Sequence, residues 1–228
     1  MNPSEIQAAL SDVRGTTDAL AKSLKLAGLV SSLFKEKGWE MVVVGGSAIE
    51  VYTEGQYMSG DIDMCGRIGA PPPRVRSEVM ASIGATGGPR NFRLNDRWID
   101  LLGPVERMSA APFQQIKTPY GPVTLMPVEE LLVDRIFTSV YPQENDEAKA
   151  CAEKLMAVCI GGDVPVNWDE AAKMADSKAY GIGKEFDQFR KMVSQHFDQT
   201  NPLKHERPKG HIDVGGMDCG PSGPSGGI

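Results

Sequence analysis

The stretch VVVGGSAIEVYTEGQYMSGDIDM, residues 42–64, decides the expected fold of this chain. It opens with a short β-branched run that is typical of a buried strand, and the run continues directly into Gly45, Gly46 and Ser47. Residues 48–54 then have the composition of a short helix, and residues 59–64 that of a second strand. The stretch therefore predicts a strand, a glycine turn, a helix and another strand.

The Gly45-Gly46-Ser47 turn is a candidate phosphate-binding site. A strand that ends in glycine and enters a helix presents backbone N–H groups and a hydroxyl at the amino end of that helix, where phosphate oxygens are favoured. Glycine lets the backbone turn sharply and lets a phosphate approach closely. A tight connection without any ligand explains the same residues, because short glycine motifs often match by chance.

Asp61 and Asp63 are two residues apart on a predicted strand, so their carboxylates project from the same face. Asp100 lies in the otherwise apolar run 98–102, where an unpaired carboxylate is costly. Three hard oxygen ligands suit Mg²⁺, which completes its shell with water and substrate phosphates. We therefore expect Asp61, Asp63 and Asp100 to form a metal site at one end of a sheet.

Each acid also has a simpler interpretation. Asp61 and Asp63 could be the solvated acids of a strand edge that discourage aggregation. Asp100 could be paired with Arg93 or Arg97, both of which are close to it in the sequence.

The rest of the chain predicts the α/β (α+β) class, with a small mixed sheet flanked by helices and a helical region after it. Helical spacing recurs within residues 4–37 and 71–83, a hairpin is expected at residues 91–102, and short strands at 115–118 and 123–126. Helical periodicity then dominates residues 128–160 and 168–197. We expect a core at residues 1–126, a helical region at 127–198 and a flexible glycine- and proline-rich tail at 199–228.

Composition limits the class of protein. The chain has 228 residues, a net charge of −6 and 41% hydrophobic residues, which suits a globular protein and disfavours one that coats nucleic acid non-specifically. Its four cysteines form no CxxC pair, so a reducing cytoplasm is the expected location, and no stretch is long and apolar enough for a membrane helix. The charge is uneven, because residues 67–107 contain seven arginines and four acids.

In combination, Gly45-Gly46-Ser47, Asp61-Ile62-Asp63 and Asp100 resemble the signature of the DNA polymerase β-type nucleotidyltransferase superfamily, over residues 41–102. The resemblance implies two Mg²⁺ ions held by the three acids, with Asp100 on the ion that activates the acceptor hydroxyl. It also implies an NTP such as ATP as co-substrate, with its phosphates at the glycine turn.

The helical region resembles bacterial nucleotidyltransferases of abortive-infection and toxin-antitoxin systems. Arg135 stands where a lysine of those proteins reaches the active site, and the resemblance implies that it binds phosphate. A surface residue paired with Glu130 or Asp134 is the alternative for Arg135. The same resemblance implies a possible cognate toxin or antitoxin partner.

Two functions follow as hypotheses. The first is a Mg²⁺-dependent nucleotidyltransferase that moves a nucleoside monophosphate from an NTP to a hydroxyl of RNA such as tRNA, of a protein or of a small molecule. The second is a catalytically inactive nucleotide sensor or antitoxin-like protein-binding module, since Glu50 lies in the stretch where the family places a basic residue. A purely structural α/β protein is the third possibility.

Overall fold

The computed structural model describes residues 1–200 of the chain, with side chains through residue 196. Its helices and strands, in chain order, are α1 Pro3–Gly15, α2 Ala19–Glu36, β1 Met41–Val43, α3 Gly45–Tyr52, β2 Asp61–Gly66, α4 Pro73–Ser82, β3 Thr86–Gly87, β4 Asn91–Leu94, β5 Arg97–Pro104, β6 Gln114–Thr118, β7 Gly121–Leu125, α5 Val128–Val140, α6 Asp146–Gly161, α7 Trp168–Ala175 and α8 Gly183–Thr200. The predicted tail lies outside the described residues from 201 onward, and residues 199 and 200 end helix α8.

The strands form one mixed seven-stranded sheet in the order β3-β4-β5-β2-β1-β7-β6. Strand β1 is antiparallel to β2 and parallel to β7, whereas β2 is parallel to β5. The hairpin β4–β5 turns at Asn95, which has a left-handed φ of 56°. The predicted class, a mixed sheet with flanking helices followed by a helical region, is confirmed.

Alternation along β2, β5 and β4 gives the two faces of the sheet opposite roles. Ile62, Met64, Ile99, Leu101 and Phe92 are each at most 2% exposed and belong to the same apolar core as the inward residues of α2 and α4. The opposite side of these three strands is called the open face here, and its residues are Asp61, Asp63, Trp98, Asp100, Asn91 and Arg93. The period of two therefore places every predicted carboxylate on the same side of the sheet.

A buried arginine fastens α4 to strand β5. The Arg76 guanidinium donates to the carbonyl of Pro71 at 2.7 Å, to that of Leu101 at 2.8 Å and to that of Leu102 at 3.2 Å. Because a buried carbonyl without a donor is costly, these contacts stabilise the strand that carries Asp100.

Several predicted bounds differ from the structure. Helix α3 begins at Gly45 rather than at residue 48, so the glycines form its first turn. The helical stretch 128–160 is interrupted after Val140, since Pro142 cannot continue a helix, and Asn145 caps α6 by accepting the Ala148 N–H. The stretch 168–197 is likewise divided into α7 and α8, and the short strand β3 was not predicted.

Within residues 1–200, no helix combines the length and the apolar character needed to cross a membrane.

Candidate active site

Three carboxylates converge on the open face. Strands β2 and β5 are adjacent and parallel, and their register places Asp63 beside Asp100. One carboxylate oxygen from each of Asp61, Asp63 and Asp100 lies within 4.8 Å of the others, and all three residues are half-buried. The structure thus brings together the three acids that the sequence singled out, and their role as metal ligands stays a prediction.

The electrostatics of this cluster favour a bound cation. Burial, then the charges of Asp61 and Asp100, raise the pKa of Asp63 to about 6, while the positive charge of Arg135 acts in the opposite direction. Asp100 Oδ1 is buried and has no hydrogen-bond partner among the described residues. An unpartnered carboxylate oxygen next to two like charges costs free energy unless a cation binds it.

The two arginines expected as alternative partners of Asp100 lie elsewhere. Arg97 Nη1 donates to the carbonyl of Ser59 at 2.9 Å. The Arg93 guanidinium carbon lies 5.7 Å from the centre of the Trp98 ring. Within residues 1–196 no ion pair joins Asp100 to an arginine, so the simpler interpretation of Asp100 is not supported.

Ser59, which no sequence motif singled out, fixes the position of Asp61. Its hydroxyl donates to Asp61 Oδ1 at 2.9 Å. Its backbone is held on both sides, because its N–H donates to Glu50 Oε2 at 3.1 Å and its carbonyl accepts from Arg97. Glu50 is 1% exposed, and burial raises its pKa against the lowering effect of the Ser59 N–H. The acid at the position where a basic residue was expected therefore holds the segment that leads into β2.

A serine two residues before Asp61 was the available signal for this contact. Serine hydroxyls commonly bond to polar groups two residues away. The pairing of residue 59 with Glu50 had no local signal, because it depends on the packing of α3 against β2.

Glycine is required at position 45 by the backbone conformation and by the carboxylate next to it. Its φ is +59°, a left-handed conformation that costs L side chains roughly 1–2 kcal/mol. A Cβ at this position would also lie 2.8 Å from Asp63 Oδ2. The first glycine of the turn thus leaves space for a carboxylate of the cluster.

Ser47 has a structural role at the same turn. Its hydroxyl donates to the carbonyl of Val44 at 3.0 Å and accepts the backbone N–H of Asp63 at 2.9 Å, and the residue is 5% exposed. A Cβ on Gly46 would lie 3.1 Å from Ser59 Oγ and 3.3 Å from the Tyr57 hydroxyl. The predicted phosphate-binding residues Gly45, Gly46 and Ser47 therefore all lie beside the carboxylates, and phosphate binding stays a prediction.

Arg135 on α5 lies close enough to Asp63 for its positive charge to oppose the rise in the pKa of Asp63. Its Nη2 contacts Asp134 Oδ2 at 3.0 Å, whereas its Nε is buried without a partner among the described residues. Arg135 also lines a cavity of about 180 Å³ together with Tyr57, Thr138, Asn145, Glu147, Ala148 and Cys151. The expected alternative pairing with Asp134 is thus present, and Glu130 instead accepts the N–H groups of Met108 and Ser109.

Comparisons with known proteins place few constraints on this chain. No family model matches it, and no curated protein does. A solution structure of the antibiotic-resistance factor ANT(2'')-Ia is similar at 11% sequence identity and a TM-score of 0.45, over 76% of this chain and 97% of that one. A likeness of this extent carries no argument about activity, so the function is inferred from the residues of this chain.

Proposed function

We propose that this chain is a Mg²⁺-dependent nucleotidyltransferase, which transfers a nucleoside monophosphate from an NTP to a hydroxyl acceptor. The observation that carries the proposal is the cluster of Asp61, Asp63 and Asp100, whose oxygens lie within 4.8 Å of one another on the open face. The buried, unpartnered Oδ1 of Asp100 supports a cation there. Carboxylate oxygens alone are the donor set that Mg²⁺ prefers.

In this proposal Asp61, Asp63 and Asp100 hold two Mg²⁺ ions. When bound, the ions supply positive charge that stabilises the attacking oxygen, the α-phosphate and the departing pyrophosphate. Ser59 keeps Asp61 in the ligating position through its 2.9 Å hydrogen bond. The N–H groups of the first turn of α3, at Gly45 and Gly46, offer the donors that phosphate oxygens require.

Arg135 has the charge and the position to bind phosphate oxygens. The cavity that it lines is polar, and its buried Nε is an unused donor. A guanidinium can bind a phosphate through two parallel hydrogen bonds, which a lysine cannot do. We propose that Arg135 neutralises phosphate charge while Asp134 orients it, and that the helical region resembling toxin-antitoxin proteins carries this residue into the site.

Labelled NTP incubated with Mg²⁺ and candidate acceptors tests the proposal. We expect Asp63→Asn to lower label transfer by at least about 100-fold, because a ligand of the reacting ions is neutralised. Asp96→Asn is the matched control, since Asp96 is an exposed acid of the β4–β5 turn whose carboxylate pairs with Lys22 of α2 at 3.5 Å. Equal transfer by Asp63→Asn and Asp96→Asn would refute the metal assignment.

One observation favours the second candidate, a nucleotide-binding module without turnover. The Ser47 hydroxyl and one Arg135 nitrogen, both expected at phosphate, are already engaged within the chain. Calorimetry with Mg²⁺ and an NTP separates the two candidates: metal-dependent binding without transfer to RNA, protein or small-molecule acceptors would favour the sensor.

A further inference from the structure

The proposed chemistry does not explain the exposed tryptophan on the open face next to the carboxylates. Trp98 is the second residue of β5 and is 45% exposed, although tryptophan is a residue whose burial is strongly favourable. It is two residues before Asp100, so both side chains project from the same face, with Cα atoms about 6.6 Å apart along the strand. An exposed aromatic ring therefore stands directly beside a proposed metal ligand.

We propose that this surface binds the 3′ end of a single-stranded polynucleotide as the acceptor, with a terminal base stacked on Trp98. The inference rests on the proposed function, because it identifies the molecule whose hydroxyl receives the nucleotide. A base stacked on Trp98 leaves its sugar within reach of Asp100, the residue assigned to the acceptor side of the site.

The charges around Trp98 suit a polyanion. Arg93 faces Trp98 across the β4–β5 hairpin, and its guanidinium lies over the indole ring. Its Nε donates to the carbonyl of Asn95, and within residues 1–196 neither Arg93 nor Arg90 forms an ion pair. The backbone carbonyl of Arg90 accepts the N–H of Leu101 at 2.8 Å, so Arg90 lies beside β5 next to Asp100. Two guanidinium groups without carboxylate partners are thus available to phosphates.

The same features disfavour the other acceptor classes. A polycationic small molecule that approached the open face beside Trp98 would be repelled by the positive charges of Arg90 and Arg93. A peptide that adds to a sheet needs a free edge strand, whereas β5 lies in the interior of the sheet between β4 and β2. Stacking on an aromatic ring together with guanidinium contacts to phosphates is the usual way in which proteins bind single strands.

A binding measurement with the full chain tests the inference without any turnover. Fluorescently labelled short oligouridine and oligothymidine are titrated with the protein, and anisotropy is followed at several salt concentrations. We expect Trp98→Ala to weaken binding roughly tenfold and Trp98→Phe to retain most of the affinity, because a phenyl ring still stacks. We expect Arg93→Ala to lower the slope of log affinity against log salt by about 0.7.

Two surface variants are matched controls. Ile68→Ala removes a side chain that is 94% exposed in the loop after β2, and Arg74→Ala removes an exposed guanidinium of α4, a helix that packs on the core side. Neither is expected to change the affinity by as much as Trp98→Ala. Comparison of the affinities for oligouridine and oligothymidine shows whether the bound strand is RNA or DNA.

Two outcomes separate the polynucleotide site from the transfer activity on which it rests. If Asp63→Asn abolishes transfer while Trp98→Ala binds both oligonucleotides as tightly as Ile68→Ala does, the polynucleotide site is refuted and the enzyme is not. Transfer of label to a protein hydroxyl or to a hydroxyl of a cationic small molecule, with no dependence on Trp98, would also overturn it.

Discussion

The replacement of Gly45 by alanine separates a backbone effect from an effect on the carboxylate cluster. Gly45 has a φ of +59°, and an added Cβ would lie 2.8 Å from Asp63 Oδ2. Gly38 has a φ of +82°, and nothing lies within 4 Å of a Cβ added there. Gly45→Ala and Gly38→Ala therefore share the backbone strain, and only the first disturbs Asp63.

We expect both variants to lose similar stability. A left-handed conformation costs an alanine about 1–2 kcal/mol, so the free energy of unfolding falls by about that amount in each. The contact in Gly45→Ala adds little to this loss, because the atom that must move is the end of a side chain rather than backbone. Urea denaturation followed by far-ultraviolet circular dichroism measures both values.

The two variants are expected to differ in Mg²⁺ binding. For the contact to be relieved, the Asp63 carboxylate must shift by several tenths of an ångström, which changes its distances to the carboxylates of Asp61 and Asp100. Since hard ions demand near-ideal ligand distances, we expect calorimetry to show Mg²⁺ affinity at least about tenfold weaker in Gly45→Ala and unchanged in Gly38→Ala. Equal Mg²⁺ affinity in the two variants would refute the assignment of Asp63 as a ligand.

Three further predictions concern the protonation of Asp63 and the hydrogen bonds made by Glu50 and Ser59. Because the pKa of Asp63 is raised to about 6, Mg²⁺ must displace a proton below that pH, and calorimetry should show Mg²⁺ affinity falling up to tenfold for each unit that the pH drops. Without metal, the folded state binds this proton more tightly than the unfolded state, so the free energy of unfolding should decrease by about 1 kcal/mol, after allowance for solvent access, as the pH rises from about 4 to about 6. Asp63→Asn is the control and should lose this part of the pH dependence, so identical profiles in the two proteins would contradict the raised pKa. Glu50→Ala leaves the buried Ser59 N–H without an acceptor and should lower the free energy of unfolding by about 1–3 kcal/mol, whereas Glu50→Gln, which keeps an acceptor oxygen, should lose less; equal losses would argue against the hydrogen bond. Ser59→Ala should weaken Mg²⁺ binding with little loss of stability, because the hydroxyl orients Asp61 without supporting the core, and an unchanged Mg²⁺ affinity would contradict that role.

The strand pattern was predictable because it depends on local periodicity. Ile62 and Met64 alternate with Asp61 and Asp63, and this period of two was sufficient to expect both carboxylates on the same face. The hairpin was predictable from the polar pair after Leu94, although Asn95 rather than glycine adopts the left-handed conformation.

The contacts that hold the site were not predictable from the sequence alone. Ser59 is fixed by Glu50 and Arg97, which are 9 and 38 residues away and meet it only after α3 and β5 have packed on β2. The hydroxyl of Ser47 was assigned to phosphate on motif grounds, whereas its bonds to Val44 and Asp63 depend on the pairing of two chain segments. Tertiary hydrogen bonds of this kind leave no periodic signal.

The parallel pairing of β2 with β5 restricts where insertions can occur in sequences related to this chain. Asp63 and Asp100 are neighbours only while their register is kept, and a slip of β5 by one residue would turn Ile99 to the open face and Asp100 to the core. Insertions between the two strands can lengthen α4 or the loops around it without touching the cluster. An insertion of a single residue within β5 would instead exchange its polar and apolar sides, so natural length variation should collect in the segment between the strands and avoid the strands themselves.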